Sequence, residues 1–273
     1  MGQSQQPIGD ELRSWRERRR LSQLELSLRA EVSTRHLSFV ETGRAQPGRE
    51  LIVRLTEELQ VPLRERNALL ISAGFAPISQ TRSFDDPSFD AVRGIIKVTL
   101  ETHKPFPAYV INRYWNIVAS NAAVPELFEG VDPKLLRPPV NTIRLLLHPR
   151  GVAPRVTNLS AWRTHLLTQL RRQVDLTADH RLEQLLSEVS SFPNPRPDES
   201  ASTSFDSPVI PLEIATRIGH LSFLSSTTIF GTPAAPTVEE ISLEMLYPAN
   251  TFTEKAVRQA ATALSDAMEQ QPT

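Results

Sequence analysis

The stretch that most constrains this chain is residues 21–47, LSQLELSLRAEVSTRHLSFVETGRAQP. Its apolar spacing predicts two short helices joined by a tight turn. Ser22 and Ser33 stand just before the two helices, where a serine side chain caps free backbone amides. The second helix begins with small and basic side chains instead of an apolar wall. That layout suits a helix inserted end-first into the major groove of DNA.

Helical patterns fill residues 9–75 and predict an all-α domain of five helices. The predicted helices cover about residues 9–20, the residues after Ser22, the residues after Ser33, residues 49–59, and the residues between Pro62, interpreted as a first-turn proline, and Gly74. The side chains expected to face the core of the first three helices are Leu12, Trp15, Leu26, Leu37 and Val40, with Leu24 as a further candidate.

A chain of 273 residues is long for one compact domain, so two domains are expected. The proline-, serine- and aspartate-rich residues 77–90 are interpreted as a linker between a first domain at 1–76 and a second at 91–273. A helix over 88–102 begins the second domain. The predicted strands lie in 109–121, 209–216, 220–230 and 240–248, and the other helices at 121–128, 141–147, 159–173, 177–190 and 253–269, with a loop at 191–208. This order predicts an α+β domain with an antiparallel sheet and flanking helices.

Composition sets limits on the function. The formal net charge of -1 gives no evidence for or against nucleic-acid binding. The absence of cysteine excludes disulfides and cysteine-ligated metal sites, and it fits a reducing cytoplasm. The first residues lack the apolar segment of a signal peptide, and no apolar run reaches the length of about 18 residues expected of a membrane span.

Residues 9–75 resemble the helix-turn-helix domain of the Xre family, which includes the phage repressors. The residues that match the family in register are Gln23, Ser27, Val32, Ser33, Leu37, Val40, Glu41, Gly43 and Pro47. Glu31 departs from the family, which often has glycine there because the turn needs a left-handed residue. Either the turn differs, or the domain absorbs a strain of roughly 1–2 kcal/mol. The resemblance also implies an ion pair between Arg16 and Glu41.

The second predicted helix of this motif supplies the base-reading side chains. Thr34, Arg35 and Ser38 face outward when the apolar residues of the same helix face inward. Arg35 suits a bidentate contact with guanine. The resemblance implies backbone contacts for Gln23 and a base contact for Phe39, whose ring can instead turn inward. The predicted DNA-contacting residues are Gln23, Ser33, Thr34, Arg35, Ser38, Phe39 and Arg44. A small helical bundle with surface polar residues is the alternative.

The resemblance narrows to the MmyB-like branch of the Xre regulators. The matching segments are VSTRHLSFVETGR, VPLRERNALLISAGFAP, INRYWNIVASNAA, NTIRLLLHPRGVAPRVTNL, LSFLSSTTIFGTP and EISLEMLYPA. This resemblance implies a PAS-like second domain whose pocket holds a small apolar ligand such as a fatty acid. Two departures concern the pocket mouth: Ala234 and Ala235 stand where the family often has an acidic helix start, and Trp162 comes three residues late.

A lipid pocket needs an apolar lining and a few placed polar groups. The predicted lining consists of Trp115, Ile117, Phe128, Leu145, Leu146, Trp162, Leu166, Leu221, Phe223 and Met245. The predicted partners of a carboxylate head are Arg113, His165 and Arg172. Taken singly, each apolar residue can instead be ordinary core, and Arg113 or Arg172 an ordinary surface arginine.

Three alternatives remain for the function. An enzyme is disfavoured, because the sequence has neither a glycine-rich phosphate loop nor a G-x-S-x-G elbow, and its histidines lack close metal spacing. Haem bound through His148 or His165 is a second alternative, and a protein partner for the second domain is a third. The favoured interpretation is a cytoplasmic, homodimeric, non-enzymatic transcription regulator that requires no cofactor and senses a fatty acid.

Overall fold

The computed structural model describes residues 8–79, 82–194, 209–229 and 240–269, with side chains up to residue 263. The chain divides into two compact units, one built mainly from residues up to Arg82 and the other mainly from Ser83 onward. The fold class expected from the sequence is confirmed, because a helical unit precedes an α+β unit with an antiparallel sheet. Within the ranges given above, no helix has both the length and the apolarity needed to cross a bilayer.

The first unit contains the expected five helices. They are α1 (Ile8–Arg18), α2 (Gln23–Arg29), α3 (Thr34–Glu41), α4 (Arg49–Glu58) and α5 (Leu63–Ser72). Both predicted serine caps are confirmed. Ser22 accepts a hydrogen bond from the Glu25 amide while the Glu25 carboxylate accepts one from the Ser22 amide, and Ser33 accepts one from the His36 amide. Pro62 is the N-cap of α5, not a residue of its first turn as predicted.

The core of the first three helices follows the predicted apolar spacing, with one exception. Leu12, Leu26, Leu37 and Val40 are almost completely buried. Leu24 remains 57 % exposed, so the prediction that it is buried is wrong. Each helical residue turns about 100° from the one before it, so Leu24 points roughly away from the face that buries Leu26.

Two close contacts set the geometry of the helix-turn-helix. A Cβ atom at Gly9 in α1 would lie 2.2 Å from the Val40 carbonyl oxygen, so only glycine fits where α1 crosses α3. The buried Ser27 hydroxyl lies 2.8 Å from the Thr34 hydroxyl, joining α2 to α3. Glu31 adopts the left-handed conformation with φ 52°, so the turn keeps its shape and the domain absorbs the strain.

The expected ion pair between Arg16 and Glu41 is confirmed. Arg16 Nε lies 2.7 Å from one Glu41 carboxylate oxygen, and Arg16 Nη2 lies 2.9 Å from the other. The side chain of Gln23 donates a further hydrogen bond of 2.8 Å to Glu41. Glu41 is only 2 % exposed, and these contacts join α1 and the start of α2 to the end of α3.

Replacing Arg16 with alanine is expected to destabilise the first unit by about 3–5 kcal/mol, because Glu41 would remain buried without its cationic partner. Urea titration of the full chain, with hydrogen exchange read on peptides from residues 8–72, measures this change. Arg13→Ala is the matched control, because Arg13 pairs with Glu17 on the surface, where an ion pair contributes little to stability. Equal protection in the two variants would contradict the role given to Arg16.

The second unit contains a sheet and helices on both of its faces. Its elements are α6 (Asp90–Thr102), β1 (Ala108–Ile111), β2 (Ile117–Ser120), α7 (Val124–Leu127), α8 (Thr142–Leu147), α9 (Leu159–Thr177), α10 (His180–Ser190), β3 (Leu212–Thr216), β4 (Gly219–Ile229), β5 (Ser242–Pro248) and α11 (Thr251–Glu269). The sequence analysis did not predict the 3-10 turns at Pro87–Phe89, Pro133–Leu136 and Ala153–Arg155. Most of the predicted loop at 191–208 lies outside the described residues.

The sheet is antiparallel with the strand order β2-β1-β5-β4-β3, so β1 and β5 are internal neighbours. Successive side chains of a strand point to opposite faces. Val110 and Leu243 pack against Ile96 and Leu100 of α6 on one face. The alternate residues of each strand, such as Tyr109 next to Val110, point to the opposite face of the sheet. This second face forms one wall of a cavity.

Candidate functional site

The first helix turn of α3 is accessible to a partner. Arg35 and His36 are exposed, and Thr34 is half-buried through its contact with Ser27. The Ser33 hydroxyl is occupied by the His36 amide. The sequence analysis expected Thr34 to face outward, and the structure gives it only partial exposure because its hydroxyl is directed at α2.

Arg35 and Phe39 form a pair on one face of α3. The Arg35 guanidinium lies 5.3 Å from the centroid of the Phe39 ring, which is a cation–π distance. The Phe39 ring is half-buried, so it does not turn fully into the core. The pair orients the arginine while its charged end remains exposed.

The remaining predicted DNA contacts differ in how accessible they are. Arg44 is exposed in the loop after α3, and Ser38 is half-buried. The side-chain amide of Gln23 is directed at Glu41. A contact between Gln23 and a phosphate would therefore use its carbonyl oxygen through water or require a rotation of the amide. The DNA-contacting roles of all these residues remain predictions.

A cavity of about 280 Å³ lies between the sheet and helices α8 and α9 of the second unit, and we call it the sheet cavity. It brings together five of the predicted ligand-binding residues: Trp115, Leu146, Trp162, His165 and Leu166. Its other lining residues are Tyr109, Ile111, Thr142, Gln169, Val209, Ile210, Leu212, Ser225, Thr227, Glu244 and Leu246. A much smaller void of about 10 Å³ shares Tyr109 and Leu146 with the sheet cavity and is also lined by the predicted residue Phe128.

The turn between β1 and β2 positions Trp115 at the sheet cavity. Trp115 has a φ of 63°, a left-handed conformation that is uncommon for a bulky residue. Its carbonyl oxygen accepts hydrogen bonds from the Thr142 amide at 2.9 Å and the Thr142 hydroxyl at 3.1 Å. These bonds tie the turn to the start of α8 and hold the strained backbone in place.

The polar end of the sheet cavity is built around Glu244. Its two carboxylate oxygens accept hydrogen bonds of 2.8 Å from the hydroxyls of Ser225 and Thr227. Burial raises the pKa of Glu244 above its usual value, and the two hydroxyl donors offset this in part. Tyr109 stands opposite Glu244 in the register of β1 and β5, and burial together with the Glu244 charge raises the pKa of Tyr109.

Two side chains of α9 complete the polar lining. Burial lowers the pKa of His165, and its Nε2 lies 2.9 Å from the Gln169 amide nitrogen, a contact that a neutral imidazole can accept. The indole N–H of Trp162 is buried and has no hydrogen-bond partner among the described residues. Among the described lining residues of this cavity, Glu244 is the only aspartate, glutamate, lysine or arginine.

A second cavity, of about 390 Å³, lies beside α11, and we call it the α11 cavity. It contains the predicted residues Leu221 and Phe223, together with Leu127, Ile218, Val257 and several alanines and prolines. Its charged lining residues are Lys104, Glu126, Glu129 and Arg217. Lys104 pairs with Glu101, and Arg217 lies 3.5 Å from Glu129.

Apart from Phe128, which lines only the small void, five predicted ligand-binding residues line neither cavity. They are Arg113, Ile117, Leu145, Arg172 and Met245. Met245 points to the α6 face because it alternates with Glu244 along β5. Leu145 is completely buried in the core, and Arg172 is exposed on α9.

Arg113 pairs with Glu240 and lines neither cavity. Its guanidinium donates a hydrogen bond of 2.7 Å to Glu240 and lies 5.3 Å from the centroid of the Tyr114 ring. Ala234 and Ala235, which the sequence analysis placed at the pocket mouth, lie outside the described residues.

The sequence analysis missed the polar end of the sheet cavity. Glu244 and Leu246 alternate with Leu243 and Met245, so the period-two pattern of β5 contains a charge on a face that also carries an apolar residue. This pattern marks Glu244 as unusual. Recognising that Ser225 and Thr227 are its partners required the register between β4 and β5.

Glu244→Gln is expected to stabilise the ligand-free chain at neutral pH. The folded-state pKa of Glu244 is raised, so its contribution to stability is greatest below the unfolded pKa and is lost as pH rises through the folded pKa. The stability difference between variant and parent should therefore grow from pH 4.5 towards 7, as calorimetry of the full chain would show. Glu254→Gln should show no such trend, because the Glu254 side chain on α11 is 45 % exposed and pairs with Arg258. A parent chain that is the more stable of the two at pH 7 would contradict the assigned cost.

Comparisons with known proteins bear on both units. Residues 92–260 match the family model described as MmyB-like transcription regulator ligand binding domain, and residues 7–69 match a model described as helix-turn-helix domain. No curated protein matches the chain. A solved structure of an RNA-binding light-oxygen-voltage receptor matches at 10 % identity with a TM-score of 0.29, over 97 % of this chain. This chain spans 65 % of that structure's length, and a likeness this weak carries no argument.

Proposed function

The chain belongs to the MmyB-like transcription regulators, and we propose that a small ligand in its second unit controls how its first unit reads DNA. One observation carries the DNA-reading part of this proposal. The N-terminal end of α3 is exposed and presents Arg35, while the opposite face of the same helix is buried around Leu37. Such a helix can enter the major groove without disturbing the core. Its cytoplasmic location follows from this function as part of the proposal.

The residues of α3 divide into two roles. Arg35 reads bases, because its exposed guanidinium can donate two parallel hydrogen bonds to a guanine. Its contact with Phe39 already restricts the arginine side chain in the free protein. Arg35 therefore loses less conformational entropy when it binds DNA. Arg44 contacts the phosphate backbone and positions the unit without distinguishing sequences.

Arg35→Ala is expected to weaken binding to a duplex selected from random sequences by about 10- to 100-fold, because a bidentate arginine–guanine contact contributes roughly 1–3 kcal/mol. It should also relax the base preference at one position. Fluorescence anisotropy of the full chain, on the selected duplex and on its single-base variants, measures both effects.

Two further variants serve as comparisons for Arg35→Ala. Arg44→Ala should weaken binding to all duplexes alike and reduce the salt slope by about 1. Arg150→Ala removes an exposed arginine of the second unit and should change neither quantity. An Arg35→Ala chain with an unchanged base preference would assign base reading to other residues.

The ligand proposal concerns the α11 cavity first. Its walls are mostly apolar, and Lys104 and Arg217 are the cations among its lining residues. A fatty acid fits this chemistry, with its hydrocarbon chain against Leu221 and Phe223 and its carboxylate near one of the two cations. The volume lies within the range of about 300–1,000 Å³ that small-molecule sites occupy.

Native mass spectrometry of the purified full chain tests for a bound fatty acid. Ala260→Phe places a larger side chain in the α11 cavity and is expected to abolish copurification of the acid, whereas Thr262→Phe on the exposed side of the same helix should not. A retained protein partner, or an absorbance band of haem in place of a lipid, would instead favour one of the two other interpretations of this unit.

Control of DNA binding requires that the ligand favours one arrangement of the protein over another. We propose a homodimer in which two copies of α3 enter successive major grooves about 34 Å apart. Sedimentation of the full chain on and off the selected duplex tests this arrangement. A single chain bound to a single half-site at saturating protein would contradict it.

A further inference from the structure

We propose that the sheet cavity is a separate binding site for an organic cation, a small protonated amine with an apolar body. This inference rests on the proposed function only in taking the second unit as a ligand-binding domain. It differs from the fatty acid proposal in its cavity, its residues and the charge of its ligand.

The ionisable residues that line the cavity favour a cation. Glu244 carries a carboxylate, and none of the described lining residues is a lysine or an arginine. Ser225 and Thr227 each donate one hydrogen bond to Glu244, which leaves accepting capacity on both carboxylate oxygens. A partly buried charge without a counter-ion is costly, and a ligand ammonium would offset that cost.

The aromatic lining of the cavity favours a cation as well. Tyr109, Trp115 and Trp162 all line the same cavity as Glu244. Aromatic faces attract cations, and tryptophan does so most strongly. A carboxylate together with several aromatic rings is the combination that suits an ammonium group and that an anion would avoid.

The indole N–H of Trp162 is a buried donor in the same cavity. The residue is 5 % exposed, and its N–H has no acceptor among the described residues. A buried donor of this kind is ordinarily satisfied by a partner or by water. A ligand oxygen or an ordered water in the cavity would supply the missing acceptor, so the site is suited to an occupant that carries polar groups.

An acid would find no lysine or arginine among the described residues that line this cavity. His165 is the one basic residue among the described lining residues, and burial lowers its pKa. Its Nε2 is already in contact with Gln169. A ligand carboxylate placed here would be repelled by the carboxylate of Glu244. The two cavities therefore differ in the charge of the ligand that each one favours.

The test uses octylamine and 1-octanol, which share a chain length and differ in head-group charge. Isothermal titration of the unmodified full chain at neutral pH is expected to give about 10- to 100-fold tighter binding of octylamine, as one charge-assisted hydrogen bond provides. Glu244→Gln should remove that preference and leave octanol binding within about threefold. Glu254→Gln, an exposed acid of the same unit, should leave both affinities unchanged.

Two results would overturn the proposal: octylamine that binds no more tightly than octanol, or an octylamine affinity that is the same in Glu244→Gln and in the parent. The comparison of the two ligands on the parent chain needs no variant, so it tests the proposal even if a variant misfolds. The Ala260→Phe chain separates this site from the fatty acid site, because it should bind octylamine normally. Loss of the amine site would leave sequence-specific DNA binding unaffected, so the two proposals fail separately.

Discussion

The ion pair between Arg16 and Glu41 is the interaction on which the DNA-reading surface depends. Glu41 stands at the end of α3 and is buried, and two nitrogens of Arg16 and the amide of Gln23 converge on it. This network anchors the C-terminal end of α3 against α1 and α2. Gly9 permits the same close approach between backbones. Anchored in this way, the helix can leave its N-terminal end free, and Arg35 is presented without any core residue being exposed with it.

The second unit keeps a cavity open between its sheet and helices α8 and α9. The left-handed backbone at Trp115 and its bonds to Thr142 hold one wall, while Glu244 and its two hydroxyl donors form the polar end. An uncompensated carboxylate costs stability when the cavity is empty. A cation that enters the cavity pairs with this carboxylate, so the site binds cationic ligands in preference to neutral or anionic ones. Stability and function are therefore opposed at Glu244, as is common at binding sites.

Local sequence signals predicted the first unit well. The serine caps, the apolar spacing and the Arg16–Glu41 pair depend on residues that neighbour each other along helices or match a family register. The ligand cavity was less accessible from sequence. Leu145 and Met245 are as apolar as Leu146 and Leu246, and only the faces on which they lie distinguish them. Glu244 acquires its partners from β4 and β1, and that register depends on long-range pairing that no local pattern encodes.

The central claim is that the two units communicate, and thermodynamic linkage tests it most directly. The affinity of the full chain for the fatty acid extracted from it would be measured in the absence and presence of saturating selected duplex, and the affinity for duplex in the absence and presence of that acid. The account predicts that the two ratios are equal and differ from one, in the range of about 5- to 150-fold typical of coupled sites. Ratios of one would show that the two units bind their ligands independently and would contradict the account.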